Sequence, residues 1–362
     1  MSQEDTPAHT CLAASQAELP SDQPALASPG YVDCLRHCLR GRGDDYPKPY
    51  IMGICGETFR FLYDQTDPER GLSVVAHNPL RAGASALGYD SEIYCEPELE
   101  PALDLLWEQL QGGPAIMHLG EQWAVVARAP EGRPAFTVAV PGQQSADWER
   151  PALAAAWQRE PGLLELGLPG YYFFQLGEKQ REPDYRDASL GSLRRGIRLM
   201  MRQAKVNGCA AGLAAYEDLQ RAFRRPRRDP RQWRMELDKF LRWRALPVAY
   251  AVGSRQAASR YLALVEEHFE EETRQHLRKA ASKYERVAGM LARLPELPVE
   301  LVPPLDRASN EPFTPEERRA MRAFSGIRRR AARCFKKAHR LEQEALDDLR
   351  RVLDSVERQK KP

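Results

Sequence analysis

Two periodicities of apolar residues divide the chain. Leu99, Ala102, Leu105, Leu106 and Leu110 recur at helical spacing across Glu98–Leu110, and Gly112-Gly113-Pro114 stops the pattern. Three strand-like runs follow at Ala115–Leu119, Trp123–Ala129 and Ala135–Val140. Gly120-Glu121-Gln122 and Pro130-Glu131-Gly132-Arg133 separate them as hairpin-like turns. Tyr171–Leu176 is a further apolar strand, while Leu72–Ala76 and Ser91–Cys95 are short strand candidates in an irregular stretch. From about Asp184 the period is helical, predicting helices over 184–206, 209–224, 229–245, 254–294 and 314–358. In the last, Met321, Phe324, Ile327, Ala331, Phe335, Ala338, Ala345, Leu349, Leu353 and Val356 form an amphipathic seam. Such a seam packs on other helices or on a second copy of the chain.

Helices first, a meander of strands later and helices to the end predict the α+β class. The expected organisation is a disordered leader over 1–29, an α+β domain over 30–180 and a helical region over 181–362, with Pro-rich Leu294–Pro315 linking its last helix. The leader lacks the apolar core of a signal peptide, and no apolar run is long enough to span a bilayer.

Charge sharpens this division. Residues 1–180 carry 12 Lys and Arg against 25 Asp and Glu, whereas 181–362 carry 41 against 26. A net charge of +2 thus hides an acidic half and a basic half, and the basic half could meet an anionic partner. Its densest runs are Arg221–Arg234 and Arg328–Lys337. No nucleic-acid motif accompanies them, so nucleic acid is not the expected partner. The seven cysteines, at 11, 34, 38, 55, 95, 209 and 334, form no CxxC pair or disulfide framework, which fits reduced thiols in a cytoplasmic protein.

The chemistry-bearing candidates cluster between Tyr31 and Asp64. Asp33 is a good N-cap, which would place Cys34 at the first helical position, where the helix dipole favours a thiolate. Gly53-Ile54-Cys55-Gly56 is expected to form a turn into a second short helix, with glycines that would allow a ligand to approach the backbone. Cys34 is also readable as a small buried hydrophobe, since Cys34, Leu35, Cys38 and Leu39 share an apolar face, and Cys55 as a helix entrance packed against the first helix, with its glycines there for steric reasons. Cys38 lacks further ligands at metal-binding spacing, and His37 points elsewhere. His118, at a strand end, and His77, in a loop, are the histidines that could meet Cys34 in space. His268, His276 and His339 lie on polar helix faces. P-loop, GxGxxG, HExxH and Ser/His/Asp signatures are absent, so no cofactor or metal is expected.

The stretch Cys34-Leu35 followed by Tyr50-Ile51-Met52-Gly53-Ile54-Cys55-Gly56-Glu57-Thr58-Phe59-Arg60 resembles an uncharacterised bacterial family. Ala86-Leu87-Gly88-Tyr89, Gly112–Ile116 and Gly212–Glu217 add to the resemblance, which spans about residues 31–350. That family is similar to the N-terminal domain of butirosin biosynthesis protein H and to papain-like peptidases of the bacteriocin-processing type. The resemblance implies a papain-like fold with Cys34 in the nucleophile's place. It also implies a histidine where Gln122-Trp123 stands and an aspartate where Val140-Pro141 stands, so the usual base and its orienting acid are missing. His118 could reach across the hairpin as a substitute base, oriented by Glu121.

Three functions follow. One is a cysteine-dependent acyl transferase or amide or thioester hydrolase using Cys34, His118 and Glu121. Another is an inactive papain-like module that binds a peptide, acyl carrier or small metabolite in a cleft lined by Gly53, Cys55, Gly56, Arg60, Gln122 and Trp123. The third is an interaction protein using the basic helical half.

Overall fold

The computed structural model describes residues 30–64, 79–120, 122–129, 135–159, 169–206, 208–224, 230–245, 247–294 and 313–359. The expected leader, the Leu72–Ala76 strand, His77, Glu121, the Pro130–Arg133 turn and most of the Pro-rich linker lie outside them.

Along the chain come α1 (Gly30–Arg40), α2 (Lys48–Cys55), a single 3-10 turn (Glu57–Phe59) and β1 (Leu62–Tyr63). Next are α3 (Pro79–Ala86), β2 (Tyr89–Glu96), α4 (Leu99–Gln109), β3 (Ala115–Leu119), β4 (Gln122–Arg128) and β5 (Ala135–Ala139). Then follow β6 (Ala146–Glu149), α5 (Arg150–Ala156), β7 (Tyr171–Lys179), α6 (Tyr185–Met200) and β8 (Ala210–Ala211). The chain continues as α7 (Leu213–Arg224), α8 (Pro230–Ala245), α9 (Pro247–Val265), α10 (Glu271–Ala292) and α11 (Pro315–Gln359). The class is α+β, with a helical C-terminal region.

Contacts group the described residues into two units. One holds 30–57 and 79–192, and the other holds 58–64 and 193–359. The division falls inside α6, beyond the boundary near 180 expected from the sequence.

The first unit is built on a six-stranded antiparallel sheet in the order β2-β7-β3-β4-β5-β6. Period-two alternation sends Ala115, Met117 and Leu119 of β3, with Ala124 and Val126 of β4, to one face. There they join Phe136, Val138, Leu103, Leu106, Leu153 and Trp157 in a continuous core under α4 and α5. On β3 and β4, α1 packs against the sheet, and α2 and α3 pack beside α1. β6 and α5 were not expected from the sequence, because Ala146–Glu149 has no buried residue to mark a strand.

In the second unit β1 pairs antiparallel with β8, Leu62 opposite Ala211. α11 runs 45 residues and lays its apolar seam on α7 and α10. Phe324 and Ile327 are buried against α8, and Ala331, Phe335, Ala338, Ala345, Leu349 and Val356 are buried as well, so most of the expected seam packs on other helices, while Met321 and Leu353 are half-buried. The helix expected over 254–294 is two helices. After a 3-10 turn at Glu266–His268 the chain is extended at Phe269, whose side chain is buried, and Arg274 Nε donates to the carbonyls of Glu266 and Phe269 at 3.1 and 2.6 Å. Glu271 and Glu272 then open α10, where carboxylates suit the positive end of a helix.

Candidate functional site

Cys34 does not stand at a helix start. α1 already begins by Gly30, because burial of Tyr31 and Val32 draws these residues into the helix. Asp33 lies inside the first turn rather than capping it, and its carboxylate pairs with Lys48 Nζ at 2.9 Å. A backbone N–H in the second turn is taken by the carbonyl four residues earlier, so this position offers neither the dipole nor free amides for an oxyanion. The thiol is fully buried. Burial pushes it well above the ordinary cysteine value, and Cys38 and Asp33 push it the same way. Among the described residues no hydrogen bond joins this thiol to an imidazole, and Cys34 is unpaired with other cysteines. The expected activated thiolate is thus replaced by a protonated thiol in the core.

His37, one turn on, is also driven toward its neutral form, first by burial and then by Arg40. Its Nε2 is buried without a hydrogen-bond partner among the described residues.

The second cysteine is placed opposite to expectation. Cys55 ends α2 instead of beginning a helix, and Gly56 closes that helix in the left-handed conformation at φ 85°. A non-glycine residue there would be strained. A helix C-terminus carries the negative end of the dipole, which disfavours a thiolate. Gly53 lies within α2, and its carbonyl accepts from the buried Ser192 Oγ at 2.6 Å. Cys55 is sealed by α3, since a Cβ placed on Gly83 would come within 2.7 Å of Cys55 Sγ and 3.1 Å of Leu35 Cδ2. Arg60 belongs to the second unit, where it is buried with its guanidinium over Tyr250 and its Nε donating to the Tyr250 hydroxyl at 3.3 Å. Gly53, Cys55, Gly56 and Arg60, expected to line a cleft, are therefore interior packing residues.

The remaining candidates form a different group. His118 and Trp123 face each other across the β3–β4 ladder, so their side chains share one side of the sheet. Their rings lie 5.3 Å apart, and Trp123 meets Tyr31 edge-on at 5.3 Å. Both His118 and Trp123 are half-buried, and Gln122 is exposed, accepting from Gln143 Nε2 at 3.0 Å. Gly30 touches the same indole: a Cβ there would be 3.2 Å from Trp123 Cβ. Sequence reasoning singled out His118, Gln122 and Trp123 but not Tyr31, whose buried ring ties α1 to them. The signal available for Tyr31 was its place beside Val32 on the apolar face of α1. Glu121, expected to orient His118, lies outside the described residues.

Among the described residues no group of three His, Cys, Asp or Glu could hold a metal ion, and no helix is long and apolar enough to cross a membrane. The fold and the site define an α+β protein with an aromatic–imidazole group on its sheet and an interior cysteine in α1. Compared with known proteins, the chain matches no protein-family model and no curated protein sequence.

Proposed function

We propose that the first unit is a papain-like module that binds its ligand without cleaving it. The observation that carries this reading is Cys34: its thiol is buried and held protonated, whereas a nucleophile must be reachable and at least partly a thiolate. What supports the papain-like part is the cysteine-bearing α1 packed across the strand that opens at Gln122-Trp123, where the resembling family would carry its histidine. The ligand, a short peptide or a small acyl-bearing molecule, rests on the surface of His118 and Trp123. An indole and an imidazole side by side offer an apolar face with polar edges, suited to an extended chain with amide groups.

The test uses the full chain with a panel of short peptides and acyl thioesters, following intrinsic fluorescence and product release together. The expected result is a fluorescence change without turnover, lost in Trp123→Phe. Turnover that disappears in Cys34→Ala would overturn the reading.

A further inference from the structure

A cavity of about 480 Å³ opens in the second unit between the end of α7 and the middle of α11. Phe223, Gly326 and Ala332 form its apolar part, and Arg224, Arg329, Arg330 and Arg333 supply the rest of its wall. The Phe223 ring is fixed from behind by Phe240 and Phe335, at 5.5 and 5.4 Å. A Cβ on Gly326 would meet nothing within 4 Å, so the helix leaves open space there instead of a packed wall.

The four guanidinium groups differ from the buried arginines of this unit. Arg234 pairs with Glu317, Arg255 with Glu342, and Arg328 with Glu236. Among the described residues, none of the four cavity arginines has a carboxylate partner; Arg329 Nε reaches only the Ser325 carbonyl, at 3.4 Å. Between Arg318 and Leu341 the chain contains no Asp or Glu at all. Arg329 and Arg333 sit four apart and Arg330 and Arg333 three apart, spacings at which like charges repel along a helix. Four exposed arginines line one concavity with no carboxylate partner among the described residues, which leaves their charge to be offset by a ligand.

We infer that this cavity is a binding site for a small anion carrying two or more phosphate groups. Guanidinium forks match phosphate oxygens two at a time, and clustered arginines suit a polyvalent anion better than a single carboxylate. The volume is that of a small-molecule site, and four arginines line that one concavity. Phosphate chemistry alone could come from an inorganic polyphosphate or from a nucleotide, whose base would have the Phe223 side of the cavity to rest on.

Calorimetric titration of the full chain with inorganic triphosphate, and separately with ATP, tests this. Both are expected to bind one per chain, and equal affinity would assign the site to the phosphates alone, while tighter ATP would assign it to a nucleotide. Arg329→Ala and Arg333→Ala should each weaken binding by roughly tenfold, the worth of one charge-assisted contact. Gly326→Leu, which fills the cavity without changing its charge, should abolish binding. That result separates a built site from diffuse attraction to a basic helix. Failure of both anions to bind wild-type protein would overturn the inference. So would binding unaltered by Gly326→Leu, or a short single-stranded RNA that binds and is not displaced by triphosphate.

Discussion

At the scale of single residues, burial decides the chemistry. Asp33 looked like an N-cap because its residue type and position suited one, but Lys48 holds its carboxylate, and Tyr31 and Val32 extend the helix beyond it. No local signal in the sequence distinguishes those outcomes, since Lys48 is distant and the burial of Tyr31 depends on Trp123 in another strand. His37 makes burial measurable. The unfolded chain takes up a proton near pH 6.5, while native His37 resists protonation to lower pH. Its contribution to stability is therefore complete above about pH 6.5 and lost as pH falls toward the folded value. His37→Gln should flatten the fall in urea midpoint between about pH 7 and pH 5; an unchanged slope would contradict this assignment. In the second unit Glu342 Oε1 accepts from Arg255 Nε at 2.5 Å and from the Tyr216 hydroxyl at 2.9 Å, all fully buried, while Oε2 has no hydrogen-bond partner among the described residues. Arg255→Met strands that carboxylate in the interior and should cost about 3–5 kcal/mol. Arg255→Met with Glu342→Met should recover most of the loss in chemical denaturation, and a double variant as unstable as the single would count against the pair.

At the scale of elements, what was legible was what repeats locally. The helix over 98–110 and the strands at 115–119, 123–129 and 135–140 came from spacing alone, and the structure places them at Leu99–Gln109, Ala115–Leu119, Gln122–Arg128 and Ala135–Ala139. What was not legible depends on close approach between elements. Pro79–Ala86 is short, small and weakly patterned, and it reads as irregular. Yet it is a helix because Gly83 lets it settle against Cys55 and Leu35. Gly83→Ala should therefore destabilise by roughly 1–3 kcal/mol through overpacking, although alanine is the better helix former. Cys55→Ala should restore the loss by removing the sulfur that the new methyl meets. A Gly83→Ala protein that melts above wild type would show that α3 packs more loosely than this geometry requires. The break at Phe269 has the same character: a buried aromatic side chain interrupts a helical pattern that spacing alone would continue.

At the scale of the whole molecule, the contrast between an acidic first half and a basic second half was visible in composition, and so was the change from mixed to helical structure. The assignment of residues 58–64 to the helical unit was not. It rests on a two-residue strand pairing across about 150 positions of sequence and on Arg255 Nη1 donating to the carbonyls of Thr58 and Arg60. That placement assigns Arg60 to a different unit from the glycine turn with which the motif grouped it. The candidate site was half legible. His118 and Trp123 do stand together on one face of the sheet, whereas Gln122, next to Trp123 on β4, falls on the other. The cysteines that drew attention first are interior, since small apolar residues on a shared helix face are drawn there whatever their chemistry. The central claim is that Cys34 is a core residue and not a nucleophile. Iodoacetamide labelling of the native full chain from pH 5 to 9, read by mass spectrometry at Cys34, tests it most directly. The account predicts labelling far slower than that of a free thiol throughout this range, appearing only when the protein unfolds; rapid modification at or below pH 7 would contradict it.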